Sequence, residues 1–118
     1  MLKLTCALMV SVLTALGGDI SGAWQLIVET NQGTGSPTVV LRQQGEELTG
    51  TYSSRLLGEA NITGTVKGSS IEFRFESELR GQAVRVSYKG KIEGPNSMKS
   101  TALFSGIDLN GTWSAKRK

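Results

Sequence analysis

From Gly22 onward, apolar residues recur at every second position. Trp24, Leu26 and Val28 alternate with Gln25, Ile27 and Glu29; Ile71, Phe73 and Phe75 alternate with Glu72, Arg74 and Glu76; Val84, Val86 and Tyr88 alternate with Arg85, Ser87 and Lys89. A period of two gives an extended segment one face for a core and one for water, whereas a helix would need a period of 3.6. No stretch after Gly22 carries a helical stripe. The pattern predicts strands at 22–30, 37–43, 47–53, 59–67, 70–78, 83–93, 97–105 and 109–116. Gly33/Gly35, Gly45, Gly58, Gly68, Gly81, Gly94-Pro95-Asn96 and Gly106 break them. Every connection is short, which favours antiparallel neighbours in chain order.

Cross-strand chemistry sets the expected registers. A Gly68-Ser69 turn makes Val66 face Ile71, Gly64 face Phe73 and Ile62 face Phe75. A loop over Leu79–Gln82 pairs Phe75 with Val86 and Phe73 with Tyr88 inside, and Glu76 with Arg85 and Glu72 with Lys89 outside. A turn at Gln44-Gly45 pairs Leu41 with Leu48, Val39 with Gly50 and Arg42 with Glu47. Pairing Ile92 with Met98 sets Lys91 opposite Lys99, an unfavourable contact that a bulge near Gly94 would shift.

One apolar face per strand needs a cover, and there is no helix to supply it. The sheet therefore folds over itself, and closing it also removes its exposed edges. The expected fold is all-β, an antiparallel up-and-down meander of about eight strands closed into a small barrel. Gly50, Gly64, Gly90 and Gly111 fall at inward positions, where barrel strands bend sharply. The first and last strands share Gly22-Ala23-Trp24 and Gly111-Thr112-Trp113, so closure is expected to bring the two tryptophans together at one end.

The first residues follow other rules. Lys3 is followed by an uncharged stretch from Leu4 to Leu16, and Ala15 and Gly17 put small residues before a cut at Gly18. This reads as a secretory signal peptide over residues 1–17, ahead of a single domain over 18–118. The stretch is shorter than the ~20 residues of a spanning helix, so no membrane span is expected. Localisation is then periplasmic or extracellular. Cys6 is the only cysteine, and there is no histidine. That removes Ser-His-Asp and Cys-His catalysis and histidine- or thiolate-held metal, and no phosphate loop is present. No enzyme activity, metal or cofactor is expected. Without Lys3 the chain carries 12 basic and 10 acidic side chains, and Lys116-Arg117-Lys118 has no interleaved aromatics, so no nucleic acid is expected either. Glu72, Glu76, Glu78 and Glu93 share the outward phase of a solvated wall.

Ser21-Gly22-Ala23-Trp24 and Gly45-Glu46-Glu47-Leu48-Thr49-Gly50-Thr51-Tyr52-Ser53-Ser54 resemble stretches of the avidin and streptavidin family. The Gly-x-Trp start is also similar to lipocalin-like barrels, and the whole chain resembles small exported bacterial barrels of unassigned function. The avidin resemblance implies that Tyr52 and Ser54 stand where that family contacts biotin's ureido oxygen. Leu26 stands where it has an asparagine, and its later tryptophans have no counterpart here. The resemblance therefore implies the fold and argues against biotin.

Tyr52, Ser54, Tyr88 and Ser100 share the inner phase with Trp24, Phe73, Phe75, Phe104 and Trp113. Two readings of this interior stand side by side: a barrel filled by its own side chains, or a cavity in which hydroxyls among aromatics suit a small, largely apolar ligand. For the second, the candidate ligand residues are Tyr52, Ser54, Phe73, Phe75 and Tyr88, under a mouth formed by Thr30–Pro37, Ser54–Gly58 and Leu79–Gln82. A protein-binding or inhibitory role would instead use Arg55, Leu56 and Leu57 as an exposed loop tip.

Overall fold

The computed structural model describes residues 19–106 and 110–118; the expected leader, residues 1–17, lies outside them. The strands are β1 (Gly22–Thr30), β2 (Gly33–Gly35), β3 (Thr38–Gln44), β4 (Glu47–Ser54), β5 (Gly58–Lys67), β6 (Ser70–Leu79), β7 (Gln82–Gly94), β8 (Ser97–Ser105) and β9 (Gly111–Arg117). All pairings are antiparallel, in the order β2-β1-β3-β4-β5-β6-β7-β8-β9, and β1 closes onto β9. This is an eight-stranded meander barrel with one extra short strand, β2. The interior holds the alternate apolar residues of every long strand, among them Leu26, Leu48, Ile62, Ile71, Met98 and Leu103.

Turn chemistry fixes most registers. Gly68 has φ of 61° at the first position of its two-residue turn, as a type II′ hairpin requires. Gly64 then pairs with Phe73 and Val66 with Ile71, as expected, and the ladder ends at Thr63↔Arg74. Arg80 and Gly81 have φ of 54° and 83°, the type I′ signature. The β6–β7 ladder has all four expected pairs, with ion pairs from Arg85 to Glu76 and from Lys89 to Glu72 on the outer wall.

The β3–β4 hairpin departs from expectation. Leu41 pairs with Gly50, Val39 with Tyr52 and Gln43 with Leu48, because the turn is Gly45-Glu46 and not Gln44-Gly45. A shift of two residues leaves every side chain on its own face, so alternation cannot detect it. What decides is φ of 63° at Gly45 in the first turn position.

β7 and β8 contain two irregularities. Gly94 pairs with Ser97 and Ile92 with Met98, which leaves Glu93 as an extra residue; Lys91 still faces Lys99. Lys89 pairs with Ala102 but Gly90 with Ser100, so Thr101 is extra in β8. That second bulge flips the phase of the rest of β8. Leu103 points inward and Phe104, expected inside, is 55% exposed.

Two wall glycines show how tightly the sheet coils. A Cβ on Gly64 would strike the Glu72 carbonyl and the Phe73 backbone, and one on Gly90 would meet the Lys99 carbonyl and the Trp113 ring. Only glycine permits these approaches.

Candidate ligand-binding site

The two ends of the barrel are built differently. At the end bearing the β3–β4, β5–β6 and β7–β8 turns, residues 19–21 cross the opening with the Ile20 side chain buried. Ile20 N–H donates to Gln43 Oε1 (3.1 Å), Gln43 N–H donates to Ser21 Oγ (2.9 Å), and Trp24 Nε1 donates to the Ile20 carbonyl (2.8 Å). Arg117 lies over the Trp24 ring at 4.6 Å and donates to the carbonyls of Pro95, Ser21 and Asp19. The Ser21 hydrogen bonds and the nearby Arg117 hold the Asp19 carboxyl below its ordinary pKa. This end is closed.

The expected pairing of the two tryptophans does not occur. β1 and β9 are antiparallel, so their N-terminal Gly-x-Trp starts lie at opposite ends, and Trp113 pairs with Val28 while Trp24 pairs with Arg117. Trp113 is instead the edge partner of Phe73 and Tyr88 in mid-barrel (centroids 6.0 and 5.5 Å).

The opposite end holds a cavity of about 490 Å³, within the range of small-molecule sites. Its apolar wall comes from Val28, Leu57, Val86 and Leu103, and its floor is formed by Tyr52 and Tyr88. The rim comprises Thr30, residues 32–37 and Ser54–Leu56. The mouth thus uses two of the three expected connections; Leu79–Gln82 lies at the same end without lining the cavity. The interior is accordingly filled in its closed half and hollow in the other.

Tyr52 and Tyr88, 4% and 2% exposed, place their hydroxyls 3.3 Å apart, one donating to the other. Phe75 stacks on Tyr52 (centroids 4.0 Å) and Phe73 on Tyr88 (4.8 Å), so both phenylalanines lie behind the floor and do not line the cavity. Burial, reinforced by the neighbouring Tyr52, pushes the Tyr88 pKa far upward, so its phenol stays protonated. Ser54 lies at the rim, where its Oγ accepts the Leu57 N–H (2.9 Å).

The loop tip differs from expectation. Leu56 is 59% exposed, but Leu57 turns into the mouth and is buried, with Ser77 Oγ donating to its carbonyl (2.5 Å). Burial of a whole leucine outweighs its exposure on a short loop. Arg55 is the one charged side chain among the described lining residues.

Strand β2 was not visible in the alternation, since Gly33-Thr34-Gly35 has no apolar residue. It turns back on β1, pairing Val28 with Gly35 and Thr30 with Gly33. β1 therefore pairs with β3 over Gly22–Gln25 and with β2 over Val28–Thr30. Gln25 Nε2 clamps the junction through the Ser36 and Pro37 carbonyls (both 3.0 Å). Leu103 enters the interior because the extra Thr101 shifts the phase of β8, and strict alternation from Met98 places Phe104 there instead. Among the described residues, no three His, Cys, Asp or Glu side chains gather as a metal site.

No family model and no curated protein matches the chain. Among solved structures it is similar to a redesigned β-barrel, with a TM-score of 0.69 at 13% identity over 84% of this chain and 91% of that one. It is also similar to a de novo designed fluorescence-activating β-barrel, with a TM-score of 0.54 at 19% identity over 83% of this chain and 93% of that one. At such identities the likeness is one of fold: this chain is a closed, eight-stranded antiparallel β-barrel.

Proposed function

We propose that the protein is a non-catalytic, exported binding module whose open end takes a small, largely apolar molecule. The observation that carries this reading is the cavity of about 490 Å³ set above the Tyr52–Tyr88 hydroxyl pair in a barrel otherwise packed with side chains. A packed scaffold beneath a mostly apolar hollow with few polar groups is the usual anatomy of a small-molecule site. The fluorescence-activating function of one designed barrel of similar fold adds support for a small ligand in this architecture. Export rests on the leader pattern of residues 1–17, and the absence of catalysis on the missing histidine and the lack of a cysteine after Cys6.

Native mass spectrometry of the protein purified from its own host tests the reading. A retained small-molecule adduct is expected. An adduct-free protein that also leaves the emission of an apolar, environment-sensitive dye unchanged would overturn it. The alternative, a protein contact through the 54–58 loop, keeps Arg55 and Leu56 but loses Leu57 to the interior.

A further inference from the structure

The floor of the cavity carries enough chemistry to specify the end of the molecule that reaches it, given the binding reading above. Tyr52 and Tyr88 have two hydroxyl hydrogens between them. One is used in their mutual 3.3 Å contact, and among the described residues neither oxygen has another hydrogen-bond partner. The second hydrogen is left for whatever fills the cavity that both side chains line. An unmet buried donor is costly, so a molecule that brings an acceptor to this point gains over one that does not.

The pair is also held in place. Phe75 stacks on Tyr52 at an interplanar angle of 27°, Phe73 lies within 8° of parallel to Tyr88, and Trp113 abuts Tyr88 edge-on. Little ordering is then needed on binding. Tyr88 keeps its proton because burial disfavours the phenolate. Among the described residues that line the cavity there is no carboxylate or amine, and Arg55 is exposed at the rim. A charged end group would therefore be desolvated without a counter-charge.

We propose that the cup selects an uncharged, largely apolar molecule ending in a carbonyl-type hydrogen-bond acceptor, held by the Tyr52–Tyr88 hydroxyl pair.

Two matched probes test this on the full chain: a dimethylaminonaphthalene bearing a propionyl ketone, and the same naphthalene bearing a propyl group. The ketone is expected to bind about tenfold more tightly, the worth of one hydrogen bond. Its bound emission should lie at longer wavelength than in dry hydrocarbon solvent, a readout that needs no variant. Replacing both residues, Tyr52→Phe with Tyr88→Phe, keeps the ring stacks and should abolish the preference while leaving the propyl probe bound. Equal affinities in the unaltered protein, a preference that survives the double substitution, or tighter binding of a naphthalene sulfonate would each overturn the inference while leaving the binding module standing. Failure of both neutral probes to bind would remove the inference together with the binding reading.

Discussion

The closed and open ends of this barrel are formed by the same strands but treat their interiors in opposite ways. At the closed end, the segment of residues 19–21 is tied across the opening by Gln43 and Arg117, and Ile20 and Trp24 fill the space beneath. At the open end, the covering pieces among the described residues are the β1–β2 hairpin and the 54–58 loop. Only Leu57 among the loop's apolar side chains is buried, and a hollow remains beneath it. Stability therefore concentrates where the cover is hydrogen-bonded on several sides, and binding capacity where it is not, the division expected when a rigid scaffold presents a site.

The strongest way to break this contrast is to empty the closed end. Trp24→Ala removes a fully buried indole and its hydrogen bond to Ile20, and should cost about 3–5 kcal/mol in denaturant unfolding. A loss below about 1 kcal/mol would mean that the plug collapses easily and that the core lies elsewhere.

Arg117→Ala comes next. It deletes donors to three carbonyls and the cation over Trp24, with an expected loss of about 2 kcal/mol. Arg117→Lys should recover less than half of that, because an ammonium cannot serve a planar, forked set of acceptors. Equal stability of the alanine and lysine variants and the unaltered protein would show that the latch is ornamental.

Tyr88 marks the boundary between the two regions, and it responds to pH. Its folded pKa is raised above the ordinary value of 10.0 by burial and by Tyr52. Above that pH the unfolded chain gives up a proton that the folded protein retains, so stability present below it is lost as pH rises. The expected slope is about 1.4 kcal/mol per pH unit. Tyr88→Phe should remove this part of the alkaline loss, which a series of denaturant titrations above neutral pH would show. The same alkaline slope with phenylalanine would mean that the phenol is not shielded from solvent.

How far the sequence revealed each region differs, for physical reasons. The wall was legible because alternation and charge pairing repeat along it, as in the Glu76–Arg85 and Glu72–Lys89 pairs. The β3–β4 register was not, because a two-residue slip preserves both faces. Phe104 was misplaced because the extra Thr101 has no sequence mark. At the open end, Tyr52 and Tyr88 were legible as inward hydroxyls, but the Leu57 burial and the β2 strand depend on loop conformation, which carries no period. The closed end was largely hidden: Ile20 precedes the first strand, and nothing periodic announces that Arg117 reaches back to the Asp19 and Ser21 carbonyls beside it.

The smallest expected effects lie at the mouth. Gln25→Ala unclamps the β1–β2 hairpin from the Ser36 and Pro37 carbonyls and should cost about 1 kcal/mol. The loss should be local: hydrogen exchange at Gly33–Gly35 speeds up, while the amides around Ile20 and Gln43 keep their protection. Leu56→Ser at the exposed tip should change global stability by less than about 0.5 kcal/mol. The two variants together separate the pieces of the cover. If Gln25→Ala also loosened the closed end, the barrel would unfold as one unit and the division of labour between its ends would fail. If only Leu56→Ser weakened capture of the apolar probe, the 54–58 loop and not the hairpin would control access to the cavity.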